Sequence, residues 1–94
     1  MLRFEWDEIK NKHNRFKHGI WFEEAQSVFD DPASRVFLDL DHSDGEDRFL
    51  IVGMNSESRL LVVVHCYRES DSIIRIISAR KATKKEARFY EERI

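Results

Sequence analysis

Very little in this 94-residue sequence breaks or braces the chain: it has one cysteine, one proline and three glycines. The lone Cys66 excludes an internal disulfide, so the fold rests on its own packing, which suits a reducing compartment. With Pro32 and three glycines as the only strong punctuation, no linker, repeat or low-complexity run divides the chain. No stretch approaches the roughly 20 consecutive apolar residues of a membrane span. Residues 1–6 carry no apolar run of signal-peptide length. There is no phosphate-binding glycine loop and no Gly-x-Ser-x-Gly elbow. The expectation is a single soluble, cytoplasmic domain over residues 1–94, without membrane association. A chain of this size hides only about 60–65% of its unfolded surface, so its core is modest.

Net charge at pH 7 is −2, which by itself argues against a nucleic-acid ligand, but the charge is unevenly spread. Residues 1–20 carry five basic and three acidic side chains, residues 21–47 one basic and nine acidic, and residues 48–94 ten basic and six acidic. An acidic middle beside a basic carboxyl half allows a local positive face on a nearly neutral protein. The plainer alternative is a merely soluble surface.

The 41% apolar content is patterned. Asp7 is placed to cap a first helix, about Glu8 to Lys17, because its carboxylate accepts hydrogen bonds from first-turn amides. Ile9, His13 and Phe16 fall on one face of that helix. Lys17 and His18 suit its negative end, and Gly19 supplies the left-handed residue that closes it. A second helix, about Phe22 to Phe29, groups Phe22, Ala25, Val28 and Phe29 and is stopped by Asp31-Pro32. Three strands follow: Arg48–Met54, Leu60–Tyr67 and Ile73–Ala79. The polar gaps between them are short enough to allow only hairpins, so the strands run antiparallel. A weaker strand, about Arg35 to Leu38, and an edge, about Leu2 to Trp6, would extend this meander from three strands to five. The middle strand is apolar on both sides, as a strand covered on both faces requires. Thr83-x-x-Glu86 has capping-box spacing and opens a last helix. Two helices, an antiparallel meander and a closing helix make the fold class α+β.

Strand alternation sorts the sheet into two faces. Arg48 goes with Leu50 and Val52, His65 with Leu61, Val63 and Tyr67, and Arg75 with Ile73 and Ile77. The opposite sets (Phe49 and Ile51; Val62, Val64 and Cys66; Ile74 and Ile76) are cleaner hydrocarbon and should pack on the helices. Arg48, His65 and Arg75 are therefore expected on the uncovered face, bordered by Arg80, Lys81, Lys84, Lys85 and Arg88. Such a grouping suits RNA cleavage without a metal, which needs an activated 2′-hydroxyl, neutralised charge on the phosphorane-like transition state and a protonated leaving oxygen. Guanidinium groups serve the second need with paired, always-charged donors. His65 titrates near neutral pH and suits acid or base duty, with Glu46 and Tyr90 as other proton-transfer candidates. Tyr67 or Tyr90 is able to stack on a splayed base. The plainer readings are a packed or solvated histidine, and an Arg75 paired with a glutamate across the sheet.

Metal motifs fail on spacing. Asp39-x-Asp41-x-x-Asp44-Gly45 echoes a calcium loop, but its third aspartate is late and Leu50 stands where that loop needs glutamate. His13, His18, His42 and His65 follow no recognised zinc spacing. Cys66, assigned to the helix-covered face, is expected to be inert.

Several pieces in order resemble one family. Phe4-Glu5-Trp6-Asp7, Lys17-His18-Gly19, Phe22-Glu23-Glu24-Ala25 with Val28-Phe29-Asp30-Asp31-Pro32, Asp41-His42-Ser43 through Glu46-x-Arg48, and Arg75-Ile76-Ile77-Ser78-Ala79-Arg80-x-Ala82 with Glu86 and Tyr90 are similar to the BrnT family. The likeness runs from Phe4 to Glu91. It implies a RelE-like fold and a metal-independent endoribonuclease toxin of a type II toxin–antitoxin module, inhibiting translation and using no cofactor. It also implies RNA as substrate and a BrnA-like antitoxin as partner, with DNA bound only through the toxin–antitoxin complex. The alternative is a non-catalytic binding module of the same fold that acts with its antitoxin as a repressor. The residues implied for catalysis are Glu46, Arg48, His65, Arg75, Arg80 and Tyr90; Lys81, Lys84, Lys85 and Arg88 would hold RNA. One departure stands out: the position before Phe22 is often serine in this family, and here Trp21 cannot accept the capping hydrogen bond. That loss would cost about 1 kcal/mol unless another group compensates.

Overall fold

The computed structural model describes residues 2–42 and 45–92. Ser43 and Asp44, which belong to the acidic middle and the calcium-loop echo, lie outside them, as does the side chain of His42. Five strands and three helices follow in the order β1 (Arg3–Glu5), α1 (Glu8–His18), α2 (Phe22–Gln26), β2 (Arg35–Leu38), β3 (Phe49–Met54), β4 (Leu60–Arg68), β5 (Ile73–Lys81) and α3 (Lys84–Glu91). A 3-10 turn, Ser27–Asp30, continues α2.

The sheet order is β1-β5-β4-β3-β2. Strands β2 to β5 form the antiparallel meander. Strand β1 pairs parallel to β5, so the sheet is mixed, which corrects an all-antiparallel expectation. A hairpin forces its two strands to run opposite ways, but no hairpin joins β1 to β5.

Local chemistry sets the helix ends. The Asp7 carboxylate accepts from the amides of Ile9 (2.8 Å) and Lys10 (3.3 Å). Gly19, at φ +74°, closes α1 with its N–H on the Arg15 carbonyl at 2.9 Å. Thr83 Oγ1 accepts from the Glu86 amide (3.2 Å), and the Glu86 carboxylate accepts from the Thr83 amide (2.8 Å), completing the capping box. At α2 the serine-type cap is missing, but Asn11 of α1 satisfies another free first-turn amide: its Oδ1 accepts from the Phe22 amide at 2.7 Å, and its Nδ2 donates to Glu23 at 2.9 Å.

That bond shows how α1 docks. The residues it buries are polar, Asn11 and Asn14, while Ile9 and Phe16 of its apolar stripe are 69% and 94% exposed. Asn14 donates to the carbonyls of Ile20 (2.8 Å) and Ala79 (2.9 Å) and accepts from the Ala79 amide at 3.0 Å. Strand β1 reaches only from Ile73 to Arg75 along β5. Asn14 therefore supplies the amide chemistry that a neighbouring strand would have given Ala79.

The core lies between this helix layer and one face of the sheet: Ile20, Phe22, Ala25 and Val28 pack on Ile51, Leu61, Val63, Ile74, Ile76 and Ala79. At Gly53 the 3-10 turn comes so close that a Cβ would sit 2.9 Å from Val28, so only glycine fits without displacement. Helix α3 lies on the opposite face, where Phe89 meets Phe37 edge-on at 5.6 Å and the Arg35 guanidinium stacks on it at 3.9 Å. Val52 and Val62, which share that face by register, are fully buried.

Candidate active site

Arg75 and Arg80 are five residues apart on one strand, so regular alternation would put them on opposite faces. A β-bulge prevents this. Val64 pairs with Ser78, but His65 pairs with Ile76, leaving Ile77 as the extra residue of β5. Below the bulge Arg75 opposes Cys66, above it Arg80 opposes Val62, and both point away from α1 and α2. Arg48 precedes Phe49, whose side chain is on the helix side with Ile51, so Arg48 joins the same open face.

On that face the charged groups form two neighbouring sets. Arg48 and Arg80 line a cleft of about 350 Å³ with Asp39, Leu50, Val64, Ile77 and Ser78. The Arg80 guanidinium is held by the Glu86 carboxylate through two parallel bonds of 2.7 and 2.8 Å. The pair holds the Glu86 carboxyl down at about 2, with hydrogen bonding from Arg80 as the main cause, and raises Arg80 further. Arg75 belongs to the second set, a chain of alternating charge. It meets Glu5 at 2.8 Å, Glu5 meets Arg68 at 3.6 Å, and Arg68 meets Glu46 at 3.7 Å. Arg48, Arg75 and Arg80 thus share a face, but Arg75 and Arg80 each already hold a carboxylate.

Several sequence expectations need correction. His65 is not on the uncovered face: it is fully buried under the helix layer, in edge contact with Phe29 at 4.8 Å. Its Nδ1 donates to the Val63 carbonyl at 3.2 Å, and its Nε2 shares a hydrogen bond of 3.3 Å with Tyr67 Oη. Burial lowers its pKa, opposed by the Val63 hydrogen bond. The reason is β4 itself: Leu61, Val62 and Val63 are all fully buried, so hydrophobicity does not say which set faces the helices. By the same inversion Val62, Val64 and Cys66 face away from α1 and α2. Cys66 lies beside Glu46 and Arg68, and burial pushes its thiol pKa up.

Tyr90 does not line the cleft with Arg48 and Arg80. Its hydroxyl donates to Asp31 at 2.6 Å, and Asp31 also accepts from the Met54 amide at 2.8 Å, so Tyr90 ties α3 to the turn before β2. Glu46 is exposed at the Arg68 end of the charge chain and lines a separate depression with Asp47, Phe49, Tyr67 and Asp71. Lys84, Lys85 and Arg88 are on α3, with Lys81 just before it; the register of Lys81 with Leu61 sends it toward the helix side. Sequence reasoning did not single out Asp39 and Ser78 as cleft residues, or Arg68 as the link between Glu5 and Glu46. The register of Asp39 beside Arg48, set by a 2.8 Å bond from the Asp39 amide to the Arg48 carbonyl, is not visible in a linear pattern. Among the described residues no three His, Cys, Asp or Glu side chains group in a way that could hold a metal ion. No described helix is long and apolar enough to cross a membrane.

Residues 6–86 match the family model of the ribonuclease toxin BrnT of type II toxin–antitoxin systems. The chain belongs to the BrnT family. The matched span includes Arg48, Arg75, Arg80 and Glu86, and it makes this protein a ribonuclease toxin of a type II toxin–antitoxin system. Membership implies an RNA substrate and an antitoxin partner. The fold agrees: the crystal structure of the Brucella abortus ribonuclease toxin BrnT superposes with a TM-score of 0.68 at 21% identity, covering 89% of this chain and all of that one. No curated protein matches the sequence directly.

Proposed function

We propose that this BrnT protein is an endoribonuclease that cuts RNA without a metal at the Arg48–Arg80 cleft, arresting translation until a BrnA-like antitoxin neutralises it. The observation that carries this reading is the placement of two guanidinium groups, Arg48 from the approach to β3 and Arg80 from β5, in one cleft with a carboxylate, Asp39, and a hydroxyl, Ser78. A scissile phosphate seated there would lie against permanently charged donors, and fixed charge worth most in the transition state is the largest usual source of rate enhancement. Glu86 uses two N–H groups of Arg80 and holds the remaining donors in place, so it acts as a positioning residue.

The step is an in-line attack of the 2′-hydroxyl on the adjacent phosphorus, leaving a 2′,3′-cyclic phosphate and expelling the 5′-oxygen, which takes its proton from solvent water. Asp39 is the carboxylate at the cleft suited to receive the 2′-hydroxyl proton. Buried His65 has no path to it, and Glu46 lies across the Arg68 link. Arg75 sits on the same face at the far end of that chain, where it would add a donor for RNA beside its Glu5 partner. Lys84, Lys85 and Arg88 on α3 would grip the RNA backbone beyond the cleft, while Lys81, turned to the helix side, would reach only RNA that passes the sheet margin; such contacts weaken with added salt. RelE-like architecture, cytoplasmic action and DNA binding only through the antitoxin complex belong to the same proposal.

The second reading, a non-catalytic module that acts with its antitoxin as a repressor, draws on the fact that Arg75 and Arg80 are each already ion-paired. One experiment separates the two. Antitoxin-free protein is incubated with naked RNA in excess EDTA, beside an Arg48→Ala/Arg80→Ala variant. Cyclic-phosphate ends made by the parent and not by the folded variant support the nuclease. Absence of cleavage on naked RNA and on translating ribosomes leaves the repressor module.

A further inference from the structure

Strand β2 ends the sheet, and its outer side pairs with no other described strand. Natural edge strands are normally blunted by lysine, proline or a bulge. This one reads Arg35-Val36-Phe37-Leu38, followed by Asp39, and its three apolar residues are 49%, 36% and 40% exposed. Leu40 just beyond it is 80% exposed, and Phe89 of α3 extends the patch beside Phe37.

The hydrogen-bond phase of this edge follows from its inner neighbour. The Asp39 amide donates to the Arg48 carbonyl, and these two residues continue the β2–β3 register, so Asp39, Phe37 and Arg35 turn their main-chain groups inward to β3. Val36 and Leu38 therefore turn theirs outward. An antiparallel strand that uses both outward residues of two identical edges has one register: Val36 opposite Leu38 of the second copy, and Phe37 opposite itself. The same register sets Arg35 against Asp39 of the second copy at both ends. The strand is thus self-complementary about its centre: basic, three apolar, acidic. Inside the chain Arg35 stacks on Phe89 and Asp39 lines the cleft; a copy of the strand adds an opposite charge to each at matched register, which a foreign segment would match only by chance.

We propose that two copies of this chain pair through β2 about a two-fold axis at Phe37, joining their sheets edge to edge. Val36 and Leu38 cover the new ladder on the helix side, while Phe37 and Phe89 of both copies cover it on the α3 side. This inference stands on the edge geometry; because Asp39 also lines the cleft, its test reads association and not cleavage.

The test uses the full chain freed of its antitoxin. Sedimentation analysis is expected to show a reversible dimer at micromolar concentrations. In a Cys66→Ala background, Phe37→Cys is expected to give a disulfide-linked dimer on mild oxidation, because directly opposed residues of a non-hydrogen-bonded pair lie within disulfide reach. Val36→Cys in the same background is expected to give little. Arg35→Asp and Asp39→Arg should each weaken the dimer about tenfold or more, since like charges then face each other twice, and the double exchange should restore it. Circular dichroism establishes that each variant is folded. A protein that stays monomeric at every concentration overturns the proposal. So does a folded double exchange that fails to restore pairing, or a folded Phe37→Cys variant that cross-links no better than Val36→Cys.

Discussion

The Arg80 guanidinium and the Glu86 carboxylate meet through two parallel N–H···O bonds, and the same carboxylate caps α3 through the Thr83 amide. One side chain thus couples the orientation of a cleft arginine to the start of the closing helix. Arg80→Ala is expected to reduce RNA cleavage about 100-fold or more and to abolish growth arrest. Arg80→Lys should also lose most activity, because an ammonium cannot make the paired bonds. Glu86→Gln should cost about 1 kcal/mol of stability from the weakened cap and pair, with a smaller fall in rate. A folded, fully toxic Arg80→Ala protein would show that the cleft is not where RNA is cut.

Acid should destabilise the protein through two groups. Burial lowers the His65 pKa below its ordinary 6.5. Below pH 6.5 the unfolded chain therefore binds a proton that the folded chain refuses, and stability falls as pH drops, by at most about 1.4 kcal/mol per pH unit for one group. Glu86 behaves in the carboxylate manner: its folded value of about 2 lies below the ordinary 4.5, so its contribution is complete above pH 4.5 and is lost as pH falls toward 2. Denaturant titrations across pH should show both declines, and His65→Phe should flatten the upper one alone. An unchanged upper slope in that variant would mean that His65 takes up its proton in the folded protein.

Asn14 stands in for a missing strand at Ala79. Asn14→Ala removes three hydrogen bonds at a site only 5% exposed and strands the Ala79 amide and carbonyl. The expected loss is about 3 kcal/mol by chemical denaturation. Ile9→Ser and Phe16→Ser, on the exposed side of the same helix, should each stay within about 0.5 kcal/mol of the parent. A tolerant Asn14 would mean that water satisfies β5 equally well.

Tyr90 distinguishes anchoring from catalysis. Tyr90→Phe removes only the hydroxyl that donates to Asp31 and should cost about 1 kcal/mol while leaving the cleavage rate within about twofold. Lost cleavage at unchanged stability would return Tyr90 to the reacting groups.

The sequence by itself determined what depends on near neighbours. Asp7, Gly19, Pro32 and the Thr83–Glu86 box set helix ends because a cap acts within one turn. Short polar gaps made the strand order β3, β4, β5 unavoidable, and the ordered motifs from Phe4 to Glu91 carried the family. Tertiary structure decided what depends on contacts far along the chain. Strand β4 is apolar on both sides, so only packing against α2 and the turn after it sends His65 inward. Ile77 gives no local sign of a bulge, yet that extra residue brings Arg75 and Arg80 to one face. Helix α1 packs through Asn11 and Asn14 because Phe22 and Ala79 present unpaired main-chain groups there, and no periodicity of apolar residues records a need for hydrogen bonds.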